Sequence, residues 1–585
     1  MLDLFLTSNQ TLINRVSVIP GISDHDIVLI SSNVSAKLKY QKPREIPLYK
    51  QANWDGIKLC ISKLHNNLSE SGEYESCSVN ELWSKLENTI NSAIKEYVPI
   101  KKASTKNKFP WINYELKRLY RRRNKAYKKM KRSGNTMDEQ RYKKLKHECK
   151  KETKVSYVRY LEDILNVNQE GNDINTKSKP NNKKLYSLLK HSKQDVHGID
   201  SLKKQNKIIY DDQEKANILN KQFQSVFTKK SPLPLKLLAN MKIQDAYDKI
   251  SDKPNKPKNN CTGYSRHKKM PDITISANGI EKLLKNLNPH KAAGPDKIRP
   301  IILKNISKEV SVILQKIFTK SIQTGSIPEI WQNALVAPIF KKGSKSDPAN
   351  YRPISLTCIL CKTLEHIVSS SIVKHFTANN LFYELQHGFR EKRSCQTQLV
   401  MLVEDILRAV NMRSQVDLIL LDFSKAFDMV NHEKLLYKLH YYGIRGGMLS
   451  WIKAFLDNRT QAVVLNGLQS DTVSVSSGVP QGSVLGPLLF LVYINDLPEY
   501  VKNSKVRLFA DDTAMYMSLS VGSHSSLLQQ DLGELERWER DWDMSFNPQK
   551  CQVLKITKRK TPIETSYTLH GTTLESVDSA KYNLK

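Results

Sequence analysis

No stretch of this 585-residue chain approaches the ~18–20 consecutive apolar residues that a membrane-crossing helix needs, which excludes a helical integral membrane protein on hydropathy. Cysteine is scarce. The eight cysteines, at positions 60, 77, 149, 261, 358, 361, 395 and 551, have neither the density nor the spacing of a disulfide framework, so free thiols in a reducing compartment are expected. One pair, Cys358 and Cys361 in "CILC", has zinc-ligand spacing, but no second Cys/His pair stands at zinc-finger distance, and a half-buried helix face is the expected reading. The opening "MLDLFLTSNQTLINRVSV" lacks the basic start and long apolar core of a secretory signal. The chain is therefore expected to be soluble and intracellular. No internal repeat is apparent. Acidic residues are also short: 58 Asp and Glu against 92 Lys and Arg leave a net charge of +34, which attracts polyanions and makes nucleic acid the first partner to consider. A generally solvated basic surface is the alternative.

What is present changes along the chain. Residues 1–32 alternate apolar runs with turns ("LDLFLTS", "VSVIPG", "SDHDIVLIS") and read as two or three strands, too few for a domain. Residues 34–100 read as a polar, largely helical stretch with Trp54 and Trp83 at apolar positions. From 101 to 155 the chain carries about twenty basic residues against about five acidic ones, with Tyr114, Tyr120, Tyr127 and Tyr142 interleaved. That pattern predicts a helical surface on which Arg121, Arg122, Arg123, Lys128 and Lys129 meet phosphates while rings stack on bases or cover the helix. A solvated helical linker fits the same composition. The stretches 167–182 and 250–272, rich in Asn, Lys, Asp and Pro, read as connectors. From about 273 the pattern becomes alternating helices and strands with apolar cores, the main folded unit.

Inside that unit, "RLFADDTAMYM" sets Asp511 and Asp512 side by side between strand-like flanks, reading as a hairpin with both carboxylates at its tip. A lone Asp-Asp pair is usually only a turn. A third acid exists, however. In "VDLILLDFSKAFDMVNH" a buried strand over 416–421 ends at Asp422, and "SKAFDMVNHEKLLYKLHYYG" is expected to continue as an amphipathic helix. Three carboxylates on adjacent strand ends cannot all stay ionised in a partly dry site without cations; two divalent ions would neutralise them, and hard oxygen ligands select Mg²⁺ or Mn²⁺. In-line phosphoryl transfer is the chemistry that follows, with a 3′-hydroxyl as nucleophile and pyrophosphate as leaving group. Between the acids, "SSGVPQGSVLGPLLFLVYINDLP" breaks regular structure with Gly478, Pro480, Gly482 and Gly486, where glycine permits close backbone approach to a ligand, and then opens a helix near Leu485.

These residues resemble the reverse transcriptases of non-LTR (LINE-type) retrotransposons, the jockey-like group in particular. The resemblance rests on six motifs in one order: "QNALVAPIFKKGSKSDPANYRPISLT", "QHGFREKRSCQTQL", "LDFSKAFDMVNH", "SGVPQGSVLGPLLFLVYINDL", "FADDT" and "WDMSFNPQKCQVL". It implies an α/β (α+β) right-hand polymerase, with fingers and an antiparallel palm sheet over 273–585 (core about 320–585), preceded by a basic, largely helical linker over 33–272. It implies RNA-directed DNA synthesis, with Asp422, Asp511 and Asp512 at the positions of two Mg²⁺ (or Mn²⁺) ions. Lys341, Lys342 and Arg352 look like the residues that approach the triphosphate, a role for which a bidentate guanidinium suits Arg352 best. Phe427 matches the position whose ring blocks a ribose 2′-hydroxyl, although a ring facing the core fits it equally. Gln481 and Gly482 match the loop against the template base and incoming nucleotide. Lys550 looks like a proton donor to pyrophosphate, or a surface lysine.

Residues 1–32 resemble the end of an apurinic-type endonuclease, a fragment of an endonuclease/exonuclease/phosphatase-type sandwich, with Asp3, Asp24 and His25 matching the end of its catalytic site. The earlier ligand positions would precede Met1, so no endonuclease activity is expected. The family's thumb would follow Lys585, so a missing thumb is expected too. The implied partners are template RNA, a DNA primer or target, dNTPs and element RNA in a ribonucleoprotein, without a membrane, passing from cytoplasm to nucleus. Two alternatives stay open: a catalytically silent RNA-binding remnant, and another templated palm polymerase of maturase or RNA-copying type.

Overall fold

A computed structural model describes residues 13–19, 27–32, 45–102, 111–165, 199–205, 207–228, 233, 238, 267–522 and 524–580. Asp3, Asp24 and His25 lie outside the described residues. The chain divides into two compact units, one built from 1–48 and 100–197, the other from 49–99 and 198–585.

In the first unit, the strands Ile13–Ile19 and Ile27–Ser32 pair antiparallel. The basic region forms a helical hairpin, Tyr114–Ser133 and Thr136–Leu165. Asn113 caps the first helix by accepting from the Leu116 amide, and Gly134 ends it in the left-handed conformation that glycine adopts without a Cβ clash. Leu119, Ala126, Tyr142, Leu145 and Cys149 fill the seam, flanked by Tyr120 and Tyr127. Of the four tyrosines expected to interleave with the charge, three therefore serve the hairpin, and Tyr114 stays exposed.

The stretch 33–272 is not one linker. Residues 49–99 belong to the larger unit because their helices carry full apolar faces. The helix Val79–Tyr97 buries Val79, Leu82, Trp83, Leu86, Ile90 and Ala93 along one stripe, and its start is fixed by a capping box between Ser78 and Glu81. Trp83 meets Trp331 edge-on with ring centroids 5.2 Å apart. Lys320 Nζ donates to the carbonyls of Tyr74 (2.9 Å), Glu75 (2.8 Å) and Cys77 (2.5 Å), tying the segment between this helix and Trp54–Glu70 to the core. The helix Asp212–Gln224 likewise packs on the strand Thr460–Leu465, where buried Asn220 donates to the Asp471 carbonyl at 2.7 Å.

Two five-stranded sheets organise the rest. In the first, Asn333–Phe340 pairs parallel with Thr460–Leu465 and antiparallel with Tyr351–Leu356. The second is the expected palm sheet, in the order 505–509, 512–519, 415–422, 552–556, 575–576, antiparallel except for its last pair. Its central strand reads as a continuous apolar run because both faces are covered. Leu418 meets Leu402, Ile406 and Val410 of the helix Cys395–Asn411 on one side, and Ile419 and Leu421 join the main core on the other. The exception is Asp417, wholly buried and satisfied by donors from Gln415, Thr565 and Tyr567. Cys358 and Cys361 are fully buried at the start of the helix Ile359–Ala378, and among the described residues no cluster of His, Cys, Asp or Glu is arranged to hold a metal ion. Among those residues, no helix is long and apolar enough to cross a membrane.

Candidate active site

Strand pairing brings the three acids together. Asp422 ends the central palm strand and stands directly opposite Asp512, the first residue of the strand Asp512–Leu519. The hairpin differs from expectation by one residue: Phe509 pairs with Asp512, so the two-residue turn is Ala510–Asp511 and only Asp511 sits at the tip. The reason is backbone chemistry. Ala510 takes φ +53°, a left-handed conformation costly for a residue with a Cβ and typical of a braced functional turn.

The brace comes from "QHGFRE", a motif segment given no role by sequence alone. Gln386 Oε1 accepts from both the Gly388 amide (2.7 Å) and the Ala510 amide (3.0 Å). The Leu508 carbonyl accepts from the His387 amide at 2.8 Å. A Cβ on Gly388 would lie 2.2 Å from the Ala510 nitrogen, so only glycine lets the two backbones approach.

All three acids are half-buried. Burial, with the charges of Asp511 and Asp422 behind it, pushes the Asp512 carboxyl up to about 7, while Lys341 opposes the shift. Burial and the Asp422 charge also raise Asp511, against Arg352 and Lys341. Lys341 is pulled below the usual lysine range by burial and by the cations Arg352, Lys550 and Lys342. A basic cluster and an acidic cluster thus face one another. Lys341 and Arg352 reach it from the open end of the first sheet, where Arg352 lies opposite Ile339 and the Lys341 amide donates to the Asn350 carbonyl at 2.9 Å. Lys550 Nζ sits 2.9 Å from Asp422 Oδ2, held by the single turn Pro548–Lys550.

Phe427 is partly buried. Its ring stacks on Phe490 (centroids 4.5 Å apart) and meets Phe389 edge-on at 6.3 Å. The expected continuous helix after Asp422 is broken: a single turn, Ala426–Met429, follows Lys425 at φ +50°, and the helix His432–Tyr441 starts afresh, capped by Asn431. Gln481 donates through Nε2 to Asp428 Oδ1 (2.9 Å), and its carbonyl accepts from the Ser355 amide (2.8 Å). Gly482, at φ +105°, leaves no room for a side chain, since a Cβ would lie 2.8 Å from the Ser355 carbonyl oxygen. The helix expected near Leu485 runs Leu485–Ile494, and buried Glu365 caps it by accepting from the amides of Val484 and Leu485.

On the basic hairpin, Arg121, Arg122, Lys128 and Lys129 are exposed. Arg123 departs from the prediction. It turns inward, is 5 % exposed, and bonds Asn124 Oδ1 while lying over the Tyr120 ring. Charge counting could not separate it from its neighbours, because only the helical phase points it to the seam.

Residues 339–576 match the family model described as reverse transcriptase (RNA-dependent DNA polymerase). Over 299 residues the chain is 29% identical to the RNA-directed DNA polymerase from mobile element jockey of Drosophila melanogaster, covering 50% of this chain and 32% of that protein. It is 30% identical over 307 residues to the probable RNA-directed DNA polymerase from transposon X-element of the same organism, covering 50% and 33%. It is 29% identical over 332 residues to that from transposon BS, covering 54% and 36%. The chain thus matches about a third of the length of these curated relatives. Residues 339–576 are thus similar to the reverse transcriptase domains of jockey-like non-LTR elements, a domain type that implies a right-hand polymerase fold and dependence on divalent metal.

Proposed function

We propose that this chain is an RNA-directed DNA polymerase of a non-LTR retrotransposon, extending a primer 3′-hydroxyl with dNTPs along an RNA template. The observation that carries the reading is the pairing of Asp422 with Asp512, with Asp511 in the adjoining turn, opposite the cations Lys341 and Arg352. The donor set is chemically right for Mg²⁺ or Mn²⁺: three hard carboxylates, two of them with pKa values raised by burial and mutual charge, a cluster short of positive charge. Asp422, Asp511 and Asp512, which do not form a metal-holding cluster as they stand in the free chain, would draw together around two such ions, which would supply nucleophile activation and stabilisation of the leaving pyrophosphate.

The remaining roles belong to the chain's own groups. Arg352 and Lys341, with Lys342 beside them, neutralise and orient the triphosphate. The Phe427 ring, fixed by its stack on Phe490, excludes a 2′-hydroxyl and favours dNTPs. Gln481 and Gly482 carry the loop that lies against the nascent base pair. Lys550 donates a proton to pyrophosphate once it leaves Asp422. The exposed face of the basic hairpin, with Arg121, Arg122, Lys128 and Lys129, binds element RNA in a ribonucleoprotein that moves from cytoplasm to nucleus. Residues 1–32, with Asp3, Asp24 and His25, are the end of an apurinic-type endonuclease domain.

The test is primer extension on a poly-A-tailed RNA with dNTPs and Mg²⁺, comparing the chain with Asp511→Asn. Extension by the chain alone, with equal RNA affinity in both, is the expected result. Loss of RNA binding together with activity in the variant would overturn the assignment, and RNA binding without extension by either chain would favour a silent binding remnant.

A further inference from the structure

The loop that carries Gln481 and Gly482 is held by hydrogen bonds as well as by packing, with Val479 buried in the main core. A small cavity lies behind it, bordered by Phe223, Phe227, Arg459 and Asp428. Besides the bond from the Ser355 amide to the Gln481 carbonyl, a set of hydrogen bonds ties the loop to the segment just after Asp422. The Val479 amide donates to the Phe427 carbonyl and the Gly478 amide to the Val430 carbonyl, both at 2.8 Å. Ser477 Oγ donates to the Asp428 carbonyl, and His432 Nε2 to the Gly478 carbonyl, each also at 2.8 Å. Gly478, at φ +86°, crosses so closely that a Cβ there would lie 2.8 Å from Asp428 Cα. Among these hydrogen bonds only one joins two side chains, that of Asp428 Oδ1 with Gln481 Nε2. Asp428 follows Phe427 directly, on a single helical turn entered through the left-handed Lys425. Burial holds the Asp428 carboxyl above its ordinary pKa, opposed by the Gln481 hydrogen bond and the Lys425 charge.

We infer that Asp428 is a positioning residue that sets nucleotide selection, locking the Gln481 side chain to the backbone turn that carries Phe427, so that the sugar-facing ring and the base-facing loop move as one part. The inference rests on the polymerase reading for its kinetic consequence, but the mechanical link is a property of the free protein. Asp428 takes no part in the chemistry, since its carboxylate is occupied by the Gln481 amide and it lies outside the Asp422, Asp511 and Asp512 cluster. The physical consequence is a shared failure. Without the acceptor, Gln481 loses its partner and the bond that joins its side chain to the Phe427 turn, so selection against a ribose and against a wrong base should weaken together.

The experiment compares the full chain with Asp428→Ala and Asp428→Asn. Asparagine keeps an acceptor oxygen for Gln481 Nε2, and alanine does not. For Asp428→Ala, KM for dNTPs should rise about tenfold, the equivalent of one hydrogen bond removed, with a smaller change in kcat. The preference for dNTPs over NTPs and for matched over mismatched insertion should fall with it, and Asp428→Asn should restore all three. A fall in kcat alone, with KM and both preferences intact, would overturn the inference, as would an Asn variant no better than Ala. If Asp428→Ala unfolds, Gln481→Met, which removes the amide donor together with its own acceptor oxygen and keeps the side-chain length, should show the same joint loss of sugar and base selection; loss of one without the other overturns the coupling. Hydrogen exchange of residues 477–482 in the nucleotide-free protein separates this from the polymerase reading. Faster exchange in Asp428→Ala and unchanged exchange in Asp428→Asn is expected even if no variant extends a primer, and equal exchange in all three overturns the link.

Discussion

Replacing Asp512 by Asn should make the metal-free protein more stable at pH 8. The Asp512 carboxyl titrates at about 7 instead of the ordinary 3.8, first through burial and then through the charges of Asp511 and Asp422. Between those two values the folded chain keeps a proton that the unfolded chain has released, so stability falls as pH rises through about 4 to 7 and stays lowered above 7. A shift of about three units corresponds to ~4 kcal/mol at 1.36 kcal/mol per unit. Because the carboxyl still meets solvent, screening reduces this to ~2 kcal/mol. Asparagine has the same shape and no charge, so it removes the cost. The assay is urea denaturation with a chelator at pH 5 and pH 8, wild type against Asp512→Asn. The variant should already be ahead by just under ~1 kcal/mol at pH 5, and by ~2 kcal/mol at pH 8. Millimolar Mg²⁺ at pH 8 should close the gap by stabilising the wild type only. Parallel pH dependence in the two chains would refute the claim that these acids crowd one another.

Lys550→Ala removes a solvent-exposed ion pair and should change stability by less than ~1 kcal/mol, yet a proton-donor role predicts a loss of about 10²-fold or more in extension rate; a rate within a few-fold of wild type would remove Lys550 from the chemistry. Trp83→Ala should destabilise the larger unit by ~3–5 kcal/mol through the cavity left against Trp331, read by thermal unfolding, and a small effect would detach residues 49–99 from that core. Reversing the charge of Arg121 and Arg122 should flatten the salt dependence of RNA binding by up to ~0.9 in slope for each phosphate no longer neutralised, whereas Arg123→Ala should lower hairpin helicity by circular dichroism with a smaller change in slope.

The acid cluster was legible because its signals are local. An apolar run ending in Asp422 and a strand-turn-strand pattern around Asp511 each state a strand end, and the motif order states that the two ends meet. The turn's register was not legible, since an Asp-Asp pair fits the tip of a hairpin better than Ala510 does, and only the bond from Gln386, 124 residues away, makes the left-handed alanine tolerable. Composition also hid the role of residues 49–99. Their exposed faces are polar enough to read as linker, while the stripe from Val79 to Ala93 was diluted by Lys, Asn and Ser on the other sides. The surroundings of Arg123 and Asp428 were not legible for a shared reason: the partner of each is set by helical phase or by a distant loop rather than by spacing.

The first sheet closes by pairing Asn333 with Thr460, residues 127 apart whose side chains also share a hydrogen bond, and the central palm strand lies in the interval between them. Neither sheet is therefore a contiguous piece of the message. As the chain leaves the ribosome, the strand Asn333–Phe340 has only one neighbour until residues near 465 emerge, and Asp422 waits for its partner until the strand beginning at Asp512 follows. A nascent chain stalled between those points would hold open strand edges and a lone acid, and the central strand keeps one edge open until residues 552–556 follow, so the sheet is completed only as the last of this sequence arrives.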